Sequence, residues 1–234
     1  MNLTAPNWHI AVLLLISLAT PLAVQAGMTS DEVISFKATK AKAEKGDAEA
    51  QHQLGICYGN GKGVDRDETR AVIWYRKAAE QGHSDAQLFL GLRYMAGKGV
   101  EMNKTLAVEW IRKSAEQGNI SAQIDLGHYL FNGHGTGKDQ IQAVTWWLKA
   151  ADQGSVAAYI LLAMRYEDGI GVAKNEIEAY AYWNLAGANS AISRENLTEL
   201  EKRLSRAEVA DGQKRTIELK KQIEEKIAAK KNVK

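Results

Sequence analysis

The sequence predicts an all-α protein, an α-solenoid of helix–turn–helix repeats, from three observations. Glycine recurs at a fixed interval: Gly46, Gly82, Gly118 and Gly154 are each 36 residues apart. Apolar side chains between these glycines follow helical spacing. The 234 residues include 20 glycines but only 2 prolines, Pro6 and Pro21, both ahead of the repeats. Many glycines with no proline among them mark many helices joined by glycine turns.

The first element is an address. Ile10 to Ala19 is an apolar run broken by Ser17, shorter than the roughly 20 residues that span a bilayer as a helix. Thr20-Pro21 and then Val24-Gln25-Ala26 follow, a small-residue cleavage pattern. Residues 1–26 therefore read as a secretory signal peptide cut after Ala26. Residues 1–9 carry no Lys or Arg, so a retained N-terminal anchor is the alternative. The residue directly after the cut is Gly27 and not a cysteine, which disfavours a lipid anchor. The expected location is periplasmic or secreted, in a bacterial host, with no stable membrane insertion once the signal is removed. Residues 27–45 read as an N-terminal capping helix. Thr29-Ser-Asp-Glu32 is a capping box, and Val33, Phe36 and Ala43 cover the first repeat.

Four abutting units follow, 46–81, 82–117, 118–153 and 154–189, each with a helix A and a helix B. The second residue of each unit is Asp47, His83, Asn119 or Ser155. Three of these four are good N-caps. Helix A carries a stripe of Ala50, Leu54, Gly55, Tyr58, repeated as Ala86, Leu90, Gly91, Tyr94, as Ala122, Leu126, Gly127, Leu130, and as Ala158, Leu162, Ala163, Tyr166. That spacing is one face of a helix. Its tenth position stays small, which implies close approach by a neighbouring helix. A G-x-G turn ends helix A at Gly61/Gly63, Gly97/Gly99, Gly133/Gly135 and Gly169/Gly171. Glycine reaches positive φ without penalty, as a tight reversal needs. Helix B alternates rings with alanine, as in Ala71, Trp74, Tyr75, Ala78 and Ala143, Trp146, Trp147, Ala150. Neither helix buries its stripe alone, so hairpins stack.

Residues 190–234 read as C-terminal capping helices with a basic tail. They hold 12 Lys or Arg and 8 Asp or Glu, a local balance of +4. Ser205-Arg-Ala-Glu208 is a second capping box. It opens a helix to about Lys230, with Val209, Ile217, Leu219, Ile223 and Ile227 as apolar contacts.

The pattern A-x-x-x-L-G-x-x-Y-x-x-G-x-G-V, then A-x-x-W-Y-x-x-A-A, resembles the Sel-one-like repeat family, relatives of the tetratricopeptide repeats. The resemblance covers residues 46–189 and implies a right-handed superhelix. It also implies a scaffold or adaptor for a protein or peptide, in cell-envelope signalling or host interaction, rather than an enzyme. A cysteine-rich branch of that family is linked to binding or hydrolysing penicillin-type compounds. The alternative is therefore an envelope hydrolase or β-lactam-binding enzyme, but the only cysteine here is Cys57. The Cys pair of each unit in that branch is missing.

Other chemistry is thin. The formal net charge of +2 is too balanced for a nucleic-acid binder. The four G-x-G copies lack a strand–loop–helix context or G-K-S/T, so they are turns rather than phosphate cradles. Trp74, Trp110, Trp146, Trp147 and Trp183 fall on the helix B stripe and are assigned to the core. His52, His83, His128 and His134 show no metal-site spacing and are assigned to surface or cap roles. No S-x-x-K follows the signal. No catalytic residue, cofactor or metal site is assigned, and the oligomeric state is left open.

Positions 8, 12 and 15 of each unit point away from the helix A stripe, at about 100° per residue. By analogy with related solenoids that face is concave. Its residues vary between repeats while the stripe holds. In the first unit they are Gln53, Cys57 and Asn60. The partner-binding candidates lie in the later units: Phe89, Arg93, Asp125, Tyr129, Asn132, Leu161, Arg165 and Asp168. Rings and arginines are the anchors that protein interfaces favour.

Overall fold

A computed structural model describes residues 28–188 and 190–231. The signal peptide expected over 1–26 lies outside them. The described residues form helices only: α1 (Ser30–Glu44), α2 (Ala48–Asn60), α3 (Glu68–Glu80), α4 (Ser84–Ala96), α5 (Lys104–Glu116), α6 (Ile120–Asn132), α7 (Gln140–Ala151), α8 (Val156–Asp168), α9 (Glu176–Gly187), α10 (Ala191–Glu201) and α11 (Arg206–Lys231). They fall into two compact units, the first ending at Ala78 and the second starting at Ala79. Among the described residues no helix is long and apolar enough to cross a membrane. The helix–turn–helix repeats of an α-solenoid build both units.

Side chains start the helices. Ahead of α2, α4, α6 and α8, the N-caps Asp47, His83, Asn119 and Ser155 accept from Ala50, Ala86, Ala122 and Ala158 N–H groups at 2.7, 3.2, 3.0 and 3.3 Å. His83, the odd one by residue type, caps through Nδ1 like the others. A second row of caps went unread in the sequence. Asn103, Asp139 and Asn175 cap α5, α7 and α9. The N–H group of each also donates back to Tyr94, Leu130 or Tyr166 carbonyls at 2.8–3.0 Å. One residue thus starts helix B and ties it to helix A.

The G-x-G turns fix the reversal. Gly135 has φ +73°, and a Cβ there would overlap the Lys104 carbonyl in the first turn of α5. Gly63 and Gly171 meet the Glu32 and Gln140 carbonyls in the same way. Backbone lies on backbone, so any side chain fails on both space and φ.

Small-to-large contacts make the seams. Within the first unit Gly55 receives Tyr75, and Phe36 meets Tyr58 edge-on at 5.5 Å. Ala43 is buried and Val33 half-buried. Within the second, Gly91 receives Ile111 and Gly127 receives Trp147. The Trp147 indole N–H donates to the Ile124 carbonyl at 3.2 Å. In the last repeat Tyr182 stacks on Tyr166 at 5.8 Å.

A buried amide ladder runs with the repeats. Gln51, Gln87 and Gln123 donate from Nε2 to the Ala43, Ala79 and Ala115 carbonyls at 3.1 Å each. Gln117 and Gln153 donate to the Gln87 and Gln123 side-chain oxygens at 2.7 and 2.9 Å. Each of the three carbonyls, at a helix end where it also takes a backbone N–H, gains a second donor.

Two core assignments need correction. Trp146, Trp147 and Trp183 are buried, but Trp74 and Trp110 are only half-buried. Their position lies on the flank of the helix B stripe, where the helix's own lysine covers the ring. Lys77, Lys113 and Lys149 sit over Trp74, Trp110 and Trp146 at 4.1, 4.1 and 3.7 Å. His52, assigned to a surface or cap role, is buried beside Tyr75.

The C-terminal helix follows the sequence reading with one exception. Ser205 donates to Glu208 from its backbone N–H and its hydroxyl at 2.8 and 2.7 Å, completing the box. α11 packs on α9, where Gly212 makes room for the Tyr180 ring. Leu219 and Ile223 are buried, whereas Ile217 is 70% exposed. Two residues turn a helix by about 200°, so Ile217 faces away from Leu219. Arg215 pairs with Glu178 and Lys226 with Asp152, both at 2.7 Å.

Candidate functional site

The A helices of the second unit, α4, α6 and α8, carry the candidate residues in three rows. Phe89, Asp125 and Leu161 form one row, Arg93, Tyr129 and Arg165 the next, and Ala96, Asn132 and Asp168 the third. The stripe behind them is buried, with Leu90, Leu126 and Leu162 at zero exposure. The first two rows are half-buried and the third is exposed. In the first unit, Gln53 and Asn60 are exposed and Cys57 is half-buried.

The polar groups are best defined on α6 and α8. Asp125 is half-buried and makes no hydrogen bond or ion pair among the described residues. Burial pushes its carboxyl up, with His128 pulling it back. His128 meets Trp147 edge-on at 5.5 Å. Burial lowers its imidazole, Asp125 raises it and Arg165 lowers it again. The Tyr129 phenol is pushed up by burial first and by Asp125 second.

Arg165 joins the two helices. Its guanidinium lies 4.8 Å over the Phe131 ring. One end of it reaches Asp168 at 3.4 Å, and its side chain is 12% exposed. Its Nε is buried and makes no hydrogen bond among the described residues. Asn132 differs, because its amide donates to the His128 carbonyl on its own helix at 2.9 Å. The structure thus joins Arg165 to Asp168 directly, and to Asp125 and Tyr129 through the His128–Phe131 patch of α6. Phe89 and Arg93 hold the same two phases on α4.

Sequence reasoning did not place Phe131 and His128 here. They stand one residue before and two residues after Tyr129 on α6, and their signal was a ring near a candidate. The arrangement supplies a cation, a carboxylate and a phenol on neighbouring helices, the means to recognise a peptide.

The Sel1 repeat pattern matches residues 48–83, 84–119, 120–155 and 156–190, the same 36-residue period with starts two residues later. A Sel1 repeat protein from Oxalobacter formigenes is similar in structure, with a TM-score of 0.68 and 29% identity over 72% of this chain and 50% of that one. The protein c5321, a protective antigen of uropathogenic Escherichia coli with an SLR fold, gives a TM-score of 0.50 and 27% identity over 87% of this chain and 60% of that one. This chain therefore spans only half to three fifths of the length of these two proteins. No curated protein matches it. With four consecutive matches over more than half its length, on paired helices sealed by the glycine and ring contacts above, the chain belongs to the Sel1 repeat family, whose repeats generally serve as protein-interaction scaffolds.

Proposed function

We propose that the protein is a secreted or periplasmic scaffold that binds a protein or peptide partner through its concave face, the candidate-bearing side of α4, α6 and α8, in envelope signalling or host contact. The observation that carries this reading is the unpaired carboxyl of Asp125. Partial burial raises this carboxyl, so the fold holds its charged form at a cost. Packing alone would replace it. A partner's N–H or cation would satisfy it, and Tyr129, Leu161 and Arg165 surround it with contact area. The location rests on the signal pattern of residues 1–26, and fractionating the cells and sequencing the N-terminus tests it: an exported chain starting at Gly27 supports the reading, an exported chain starting at Met1 supports the retained anchor in its place, and a chain found only in the cytoplasm removes it.

The enzyme reading has less support. The one cysteine, Cys57, is half-buried and burial pushes its thiol up, away from the thiolate that nucleophilic chemistry needs. Turnover of a chromogenic β-lactam by the purified protein would revive it. The binding reading is tested by capture from envelope extract with wild type and with Tyr129→Ala/Arg165→Ala. Loss of specific proteins from the variant supports it, and equal recovery removes the face from consideration.

A further inference from the structure

A second surface lies away from the A-helix face, at the far end of α11. Its last residues rest over the turn between α5 and α6, with a cleft on either side. The two clefts differ in charge. One contains Trp146 with Glu116 and Asp152 beside Lys149, Lys226 and Lys230. There Lys226 is paired with Asp152 at 2.7 Å and Lys149 lies over the Trp146 ring.

The other cleft, of about 710 Å³, has an apolar floor and no carboxylate. Ile120, Ile227 and Ala229 form the floor, Gln153 one wall, and Lys230 and Lys231 the rim. Ile120 is 37% exposed at the start of α6, where exposure of a large aliphatic side chain gains nothing for folding. The Gln153 amide is already used, donating to the Gly118 carbonyl at 3.1 Å and to Gln123 at 2.9 Å. Lys230 and Lys231 are exposed, and neither has a carboxylate partner among the described residues. Apolar floor and uncompensated cations call for an occupant with the converse pattern.

We infer that this cleft is a second docking site, for a peptide segment of a partner protein in which an aliphatic or aromatic residue adjoins Asp, Glu or a free C-terminus. The apolar side chain enters over Ile120 and Ile227, and the carboxylate meets Lys230 and Lys231. The rim charges lie in solvent, so they govern encounter and salt dependence, while the floor supplies the burial.

The test is selection from a random heptapeptide display library on the full chain, run in parallel on wild type and on Lys230→Glu/Lys231→Glu. Both lysines are exposed at a helix end, so the variant folds, and its circular dichroism and melting curve verify that. Wild type is expected to enrich peptides with Asp or Glu beside Leu, Ile or Phe. Those peptides should lose roughly tenfold or more in affinity on the variant, and Ile120→Ser should weaken them too. Peptides held by the A-helix face enrich equally on both proteins, so the difference isolates the cleft. Absence of acidic–apolar enrichment, or the same enrichment on wild type and variant, overturns the proposal.

Discussion

The two sides of helix α6 obey opposite rules. On its inner side every group is matched. Gly127 makes room for the Trp147 ring, and the indole N–H finds the Ile124 carbonyl. Gln123 spans from the Ala115 carbonyl to the Gln153 amide. On its outer side Asp125 is half-buried without a partner, and Tyr129 and His128 crowd around it. The same thirteen-residue helix is closed toward the neighbouring hairpin and open on its other face. Repeats recur on the inner side because each seam must fit the next. They diverge on the outer side because nothing in the fold constrains it.

That contrast can be broken at graded cost. The largest effect is expected for Trp147→Ala, which empties a seam and should lose about 3–5 kcal/mol in urea denaturation. Gly127→Ala puts a methyl where the indole lies and should lose about 1–3 kcal/mol or more. A neutral result there would deny that the seam is tight. Gln123→Ala removes two bonds of the ladder, but the Ala115 carbonyl keeps the Gly118 N–H and the Gln153 amide keeps the Gly118 carbonyl, so the expected loss is about 1 kcal/mol.

The smallest effect has the opposite sign. The folded protein holds the Asp125 proton more tightly than the unfolded chain, whose carboxyl titrates near about 3.9. Ionisation therefore disfavours the folded state, and stability is lost as pH rises through the folded value. Asp125→Asn should be slightly more stable than wild type at neutral pH, with the gain vanishing near about pH 3. The comparison is of urea midpoints at the two pH values. A loss of stability at neutral pH would mean that the carboxyl already serves the fold.

Much of the architecture was legible because packing writes itself as period. The stripe of Ala122, Leu126, Gly127 and Leu130 and the glycines at 133 and 135 announce both a helix and its reversal. Three features were hidden for physical reasons. Gln87, Gln117, Gln123 and Gln153 also recur at 36, but a polar residue inside an apolar stripe carries no hydrophobic signal, so the amide ladder was missed. Asn103 and Asp139 stand in loops, where capping residues look like ordinary polar turns. Trp110 shares the spacing of the core rings, yet spacing does not tell the centre of a stripe from its flank, where Lys113 finishes the covering. At the candidate site the phase of Asp125, Tyr129 and Arg165 could be read in advance. The seating of Arg165 on Phe131 could not, because it joins two repeats through side chains that no periodicity links.

The most direct test separates the two sides of the A helices in one pair of variants. Tyr129→Ala/Arg165→Ala removes outer groups, and Gly127→Ala disturbs the inner seam. Melting and partner capture are measured together on both and on wild type. The expected result is that the outer variant, which gives up the Arg165–Phe131 contact, melts only a little below wild type and loses its partner proteins, while the seam variant melts well below both. An outer variant that melts as low as the seam variant, or that recovers every partner unchanged, would contradict the division of labour.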